Sequence, residues 1–209
     1  MKITIIGASA GVGLQATQRA LQQGHHVTTL SRRIDTLPEH PMLTKVQGSS
    51  TNVNDVKIAL ANADAILITL GTGSNLKATT LFSESARILI KVQREAGSTT
   101  PFIVLTGFGA GESWGYNSFI IRFLFDLFLK VVYADKTVME QIVTTEYPNW
   151  EIVRPGRLTN GAMKTQYRVM DSLTKGMKVG SISRADVAHF MVSQAERQTY
   201  PGKYLALTY

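Results

Sequence analysis

The segment Lys2-Ile3-Thr4-Ile5-Ile6-Gly7-Ala8-Ser9-Ala10-Gly11-Val12-Gly13-Leu14 decides the fold. Ile3, Ile5 and Ile6 make a short β-branched apolar run of the kind that is buried in a parallel sheet. Three glycines then break the run, and residues 13–23 read as a helix. A glycine-rich loop between a strand and a helix points at the helix N-terminus, where backbone N–H groups are unpaired and the helix dipole is positive. Glycine also lets a phosphate come close without a Cβ in the way. Gly7, Ala8, Ser9, Gly11, Val12 and Gly13 are therefore the expected contacts of a dinucleotide's pyrophosphate, with a tight strand-to-helix turn as the plainer reading. The strand before, the helix after and the place at the head of the chain lift the motif above a bare glycine pattern.

Outward from this unit, strand signals recur at Ile3–Ile6, Val27–Leu30, Thr44–Gln47, Ala65–Leu70, Phe102–Thr106, Trp150–Arg154 and Tyr204–Leu207. Helical patterns over 53–62, 79–96, 119–132, 135–146 and 185–195 fall between most of them. Alternation of this kind predicts a Rossmann-type doubly wound α/β fold, a mainly parallel sheet with helices on both faces. With no linker composition and no repeat, residues 1–209 read as one domain. In such sheets ligands lie beyond the carboxyl ends of the strands, so the residues just after each apolar run are the informative ones.

After the second strand comes Ser31-Arg32-Arg33, where an NAD-specific fold usually places the acid that holds the ribose 2′-hydroxyl. A guanidinium pairs bidentately with a phosphate and a carboxylate repels one, so the exchange points to NADP(H). The plainer reading leaves one or both arginines solvating a strand end, and Asp35 follows too late in the chain to replace the acid. Ser49 after the third strand, Leu70-Gly71-Thr72 after the fourth, Thr106-Gly107 after the fifth and Pro155-Gly156-Arg157 after the sixth extend the expected cofactor track. Each alone is an ordinary turn. Arg157 reads equally as an anion contact or a surface charge. Loops 107–118 and 157–180 are expected to build the substrate pocket, with Phe108 and Trp114 either stacking on the acceptor or packing in the core.

The remaining composition narrows the function. The chain has no cysteine, so disulfides, thiolate nucleophiles and cysteine metal sites are excluded, and its four histidines lack ligand spacing, so no metal is expected. Formal charge is +7, yet no Lys/Arg block or basic-aromatic stripe marks a nucleic-acid partner. Met1–Ile6 is too short for a signal peptide and a cytoplasmic enzyme is expected. The apolar stretch 119–132 is too short to span a bilayer and carries Arg122, Asp126 and Lys130 at helical spacing, which reads as a buried helix with one wet stripe. A membrane surface or a second subunit, as in a homodimer, stays open for its apolar side.

Taken with the glycine loop, the stretches Leu70-Gly71-Thr72, Thr79-Thr80-Leu81-Phe82-Ser83-Glu84-Ser85-Ala86-Arg87, Arg154-Pro155-Gly156 and Ser183-Arg184-Ala185-Asp186-Val187-Ala188-His189-Phe190 resemble the atypical short-chain dehydrogenase/reductase superfamily. Within it the resemblance is closest to the biliverdin IXβ reductase/flavin reductase group, with the NmrA-like NAD(P)-binding proteins nearby, and it covers almost the whole chain. It implies an NADPH-dependent reductase that passes hydride to flavins or linear tetrapyrroles, with Arg32 as the phosphate-binding arginine. Several positions depart from the group. Ala10 holds the place of its middle glycine and Gly11 follows; Thr36 replaces a second arginine; Gly107 stands for its serine and Arg157 for its histidine.

The superfamily's usual Tyr-x-x-x-Lys acid pair has one remnant, Tyr133-Ala-Asp-Lys136, at the expected junction of two helices. Tyr133 is accordingly expected to end the buried helix and Lys136 to be solvated, and the two are kept as weak catalytic candidates. A flavin can take its proton from solvent, so the leading expectation is a reductase that works by stacking acceptor on nicotinamide. The alternative is a non-catalytic NADP(H) sensor of NmrA type. An epimerase or isomeroreductase would need a proton donor that the sequence does not offer.

Overall fold

The computed structural model describes residues 1–73, 77–116, 130–174 and 176–209. Its centre is an eight-stranded sheet in the order β3-β2-β1-β4-β5-β6-β10-β8. The first six strands are Lys2–Ile6, His26–Ser31, Leu43–Gln47, Ala65–Ile68, Phe102–Leu105 and Trp150–Pro155 (β1 to β6), and Lys203–Thr208 is β10. These seven are parallel; β8, Arg168–Met170, closes one edge antiparallel to β10. The chain builds outward from β1 to β3 and then returns to the other side of β1 with β4. That reversal opens a crevice at the carboxyl ends of β1 and β4, the topological switch point of such sheets.

Five described helices cover both faces: α1 Gly11–Gln22, α2 Val53–Leu60, α3 Leu81–Glu95, α4 Lys130–Glu146 and α5 Arg184–Glu196. Because the strands are buried on both sides, alternate residues feed two separate cores. Ile3, Ile5, Leu67 and Val153 pack with α1 and α5, whereas Ile6, Ile66, Ile68 and Ile152 pack with α2, α3 and α4.

Among the described residues the expected strands and helices lie where the sequence put them, to within a few residues at their ends. One expectation is corrected. Residues 130–146 form a single α4, so the helix break anticipated at Tyr133 and Ala134 does not exist. Nothing at that point is a helix breaker: Val131-Val132-Tyr133-Ala134-Asp135 has neither glycine nor proline. The start of the apolar stretch, residues 119–129, lies outside the described residues. Three short strands carried no apolar signal long enough to read: β8, and the pair β7 (Arg157–Thr159) and β9 (Ser181–Ser183), which form a small parallel sheet of their own.

Asp186 ties this last region together. Fully buried in the first turn of α5, it accepts hydrogen bonds from Lys164 N (2.9 Å), Thr165 N (2.7 Å), Ser183 Oγ (2.9 Å) and Tyr209 Oη (2.6 Å). Burial alone would raise its carboxyl, but the bonds from Tyr209, Thr165, Ser183 and Lys164 outweigh it and hold the group below the usual carboxylate range. A depressed folded pKa means that the contribution to stability is present above the unfolded value and is lost as pH falls through the folded one. Asp186→Asn should cost roughly 2–3 kcal/mol at neutral pH, measured by urea unfolding, and should remove part of the acid-side loss of stability. Equal stability of the two proteins at pH 7 would show that the knot contributes nothing.

Candidate functional site

The carboxyl rim of the sheet is occupied by one long cleft of about 940 Å³, and its floor is the glycine loop. Gly7 has φ +89°, and a Cβ there would sit 3.0 Å from the Thr69 backbone at the end of β4. Thr69 Oγ1 donates to the carbonyl oxygens of Ile6 (3.0 Å) and Gly7 (3.3 Å), which clamps the two strand ends. Gly13 lies directly behind, where a Cβ would collide with Gly7 O and Thr69 Oγ1. The loop thus threads between β4 and the first turn of α1. That helix starts at Gly11, with no side-chain cap from Ala10 before it and no acid in its first turn, so its free N–H groups face the cleft. An anionic pyrophosphate fits this cradle, since side chains would obstruct it and among the described residues no side chain caps the helix end.

From the cradle the cleft extends two ways. On one side it reaches Ser31, Arg32 and Arg33 beyond β2 and Gly48, Ser49, Ser50 and Thr51 beyond β3. Both arginines are exposed at the strand end, and Asp35 does not line the cleft. Thr36 Oγ1 donates to Ser9 O at 2.7 Å, so the residue standing in for a second arginine fastens the arginine loop to the glycine loop. Ser49 N donates to Asp55 Oδ2 (2.8 Å), which shapes the turn after β3.

On the other side the cleft passes Leu70, Gly71 and Thr72 and ends among Leu81, Phe82, Thr106, Val132, Tyr133, Lys136 and Leu158. Here the uninterrupted α4 matters. Tyr133 and Lys136 are on one face of it and both border the cleft, so Lys136 is half-buried and donates to Thr106 O at 2.7 Å instead of being solvated. Its Nζ lies 5.3 Å from the Phe82 ring centre and 5.0 Å from that of Tyr133. Burial pulls its ammonium down to about 8, against the opposing attraction of Glu140. Burial, with Glu140, pushes the Tyr133 phenol up to about 12, so it stays protonated at any working pH. Glu140 itself is held by Arg154 (Nε 3.0 Å, Nη2 2.7 Å) and by Thr106 Oγ1 (2.6 Å). Asp135, between the pair, faces away from the cleft and accepts from Phe82 N (2.8 Å) at the start of α3, a helix with no side-chain cap of its own.

The structure gathers Gly7, Ser9, Gly11, Val12, Ser31, Arg32, Arg33, Ser49, Leu70, Gly71, Thr72 and Thr106 around this cleft. The other expected contacts do not line it. Ala8 is fully buried against the core, and Gly13 supports the loop from behind. Gly107 lies under the Tyr133 hydroxyl, where a Cβ would clash with it. Pro155 is in β6, Gly156 packs against Gly180, and Arg157 is drawn into β7 by its N–H bond to Gly180 O (2.9 Å), its side chain in solvent. Phe108 is 8% exposed and Trp114 half-buried, and neither borders the cleft. Of the expected substrate loops, residues 117, 118 and 175 lie outside the described residues. Ala10, Leu158 and Arg184 border the cleft and were not singled out as contacts; for Arg184 the Ser-Arg-Ala-Asp signature was the available signal. Among the described residues no helix is long and apolar enough to cross a membrane.

The family model described as NAD(P)H-binding matches residues 7–198, from the glycine loop through α5. The chain belongs to this NAD(P)H-binding family. Among solved structures it is similar to ChuY, an anaerobilin reductase from Escherichia coli O157:H7, with a TM-score of 0.81 and 23% identity over 100% of this chain and 97% of that one. It is also similar to a short-chain dehydrogenase/reductase from Veillonella parvula in complex with NADP, with a TM-score of 0.84 and 16% identity over 100% and 94% of the two chains. A 3-beta-hydroxysteroid dehydrogenase from Mycolicibacterium neoaurum is 38% identical over 68 residues, 32% of this chain and 19% of that enzyme. The chain therefore aligns with about a fifth of that relative's length.

Gly13→Ala should be damaging twice over, because its methyl group displaces the Gly7 carbonyl that shapes the cradle. We expect a lower Tm and loss of NAD(P)H binding by fluorescence titration, whereas Gly11→Ala, whose methyl group would meet only the Arg184 side chain at van der Waals distance, should cost about 1–2 kcal/mol of stability through its φ of +57°.

Proposed function

We propose that the protein is an NADPH-dependent reductase that delivers hydride to a flavin or a related conjugated acceptor. The observation that carries this reading is the continuity of the cleft. Arg32 and Arg33 stand at one end, the glycine cradle in the middle, and Lys136 and Tyr133 under an apolar rim at the other. Membership in the NAD(P)H-binding family supports the cofactor class, and the anaerobilin reductase among the similar structures supports a conjugated acceptor.

In this reading the exposed arginines pair with the 2′-phosphate, and the cradle with the first turn of α1 takes the pyrophosphate. Thr72, Thr106 and the apolar side chains of Leu81, Val132 and Leu158 then shape the reacting end. When bound, the nicotinamide cofactor supplies the hydride. The protein's part is to hold acceptor and cofactor together, to exclude water with that apolar rim and to provide a proton. Proximity alone lowers the barrier by about 7 kcal/mol or more in well-oriented systems. Lys136 is the group suited to give the proton: it borders the cleft, uses one of its three N–H bonds on Thr106 O, and holds its proton loosely near neutral pH. Tyr133, with its raised pKa, can donate a hydrogen bond without surrendering the proton.

The first test follows NADPH absorbance with FMN or riboflavin as acceptor, against an NADH control. Acceptor-dependent oxidation that favours NADPH supports the reductase; NADPH binding without oxidation by any conjugated acceptor supports the sensor reading instead. Arg32→Glu should weaken NADPH by about 2–3 kcal/mol, or ~30- to 150-fold, and leave NADH little changed. Equal losses for the two cofactors would remove the 2′-phosphate assignment.

With Lys136 as proton donor, turnover falls as pH rises through about 8, where the ammonium is lost. Lys136→Met should abolish that limb and lower kcat by about 100-fold or more. A rate that does not change between pH 7 and 9 would mean that solvent provides the proton.

A further inference from the structure

Arg184 is the first residue of α5, and its side chain reaches across the cleft to the glycine loop. Its Nε and Cδ lie 3.7 and 3.9 Å from where a Cβ on Gly11 would be, which sets the guanidinium against the first turn of α1. The two helices pack side by side, and each hands the chain to the start of a parallel strand, so both begin at the carboxyl rim.

The surroundings are unfavourable for a cation. Both nearby helix ends are N-termini, whose partial charge is positive. Asp186, the acid of the first turn of α5, spends its oxygens on Lys164, Thr165, Ser183 and Tyr209. Among the described residues no carboxylate lies within ion-pair distance of Arg184. Its Nη1 donates to Asn160 Oδ1 at 2.8 Å, a neutral amide oxygen. A fixed guanidinium between two positive helix ends, compensated by one amide, is the arrangement that an anion completes.

We propose that Arg184 closes over the diphosphate of the bound dinucleotide, pairing with its phosphate oxygens from the wall opposite the glycine loop, and that Asn160 holds the guanidinium ready. The inference rests on the dinucleotide reading of the cleft. It separates the labour of the arginines: Arg32 and Arg33 meet a phosphate that only NADPH carries, whereas Arg184 meets the diphosphate common to NADPH and NADH. No bond is made or broken in this role.

The test titrates wild type, Arg184→Ala, Arg184→Lys and Asn160→Asp with NADPH, NADH and adenosine 2′-monophosphate, which lacks a diphosphate. Arg184→Ala should weaken NADPH and NADH by the same factor, about 10- to 100-fold, the loss of one charge-assisted contact, and leave adenosine 2′-monophosphate unchanged. Arg184→Lys should fall between, because an ammonium keeps the charge and loses the fork. Asn160→Asp, which sets a competing carboxylate beside the guanidinium, should weaken both dinucleotides while leaving the Tm near wild type. Unchanged NADPH affinity in Arg184→Ala overturns the clamp alone. Loss confined to NADPH, or shared by adenosine 2′-monophosphate, overturns it by placing the arginine at another subsite. A wild-type protein that binds neither dinucleotide overturns the cofactor reading and the clamp with it.

Discussion

The site depends on one backbone contact, the close approach of the Gly7 turn to the end of β4. With φ at +89° and the Thr69 backbone 3.0 Å from any Cβ, position 7 accepts only a residue without a side chain. Thr69 then bonds the Ile6 and Gly7 carbonyls, and Gly13 backs the same carbonyl from α1. The turn from β1 into α1 and the end of β4, 63 residues further along the chain, are locked at one point, at the place where strand order reverses. That lock decides where the N-terminus of α1 opens, and the cleft is laid out from it in both directions.

Charge is distributed around this point with a consistent sign. Arg32, Arg33, Lys136 and Arg184 all border the cleft, while the buried acids Asp186, Glu140 and Asp135 do not line it and are committed to other groups. Glu140 is the informative case. Arg154 grips it through two bonds, and the neutralised pair sits under Thr106 without drawing Lys136 into an ion pair. The cleft therefore keeps its positive potential, which favours a ligand carrying several phosphates.

Much of this was legible in the sequence because it is local. The Ile3–Ile6 run, the glycines after it and the alternation of strands and helices each declare themselves within a dozen residues, and Arg32 and Arg33 follow from position at a strand end. What sequence could not give is which way a residue faces. Pro155 ends β6, and Gly156 and Arg157 follow it as the rule requires, yet Gly156 packs against Gly180 and Arg157 pairs with Ser181 in a second small sheet, so none of them lines the cleft. Phe108 and Gly107 are likewise turned inward, Gly107 beneath Tyr133. Periodicity did not reveal that α4 continues through Tyr133, because its residues are apolar on several sides.

The spacing of Tyr133 and Lys136 shows how little such a misjudged boundary needs to be for the chemistry to change. At three residues apart on one continuous helix the two side chains share a face, but at a helix junction they would not. Continuity of α4 brings Lys136 under Thr106, and Asp135, on the adjoining face, supplies the missing cap of α3. The helix is thereby pinned from both sides, by a cation on a strand-end carbonyl and by a carboxylate on a helix start. Fixing α4 in this way holds Lys136 in a half-buried place where its proton is weakly bound, so the same contacts that orient the helix also set the acidity of the group best placed to use it.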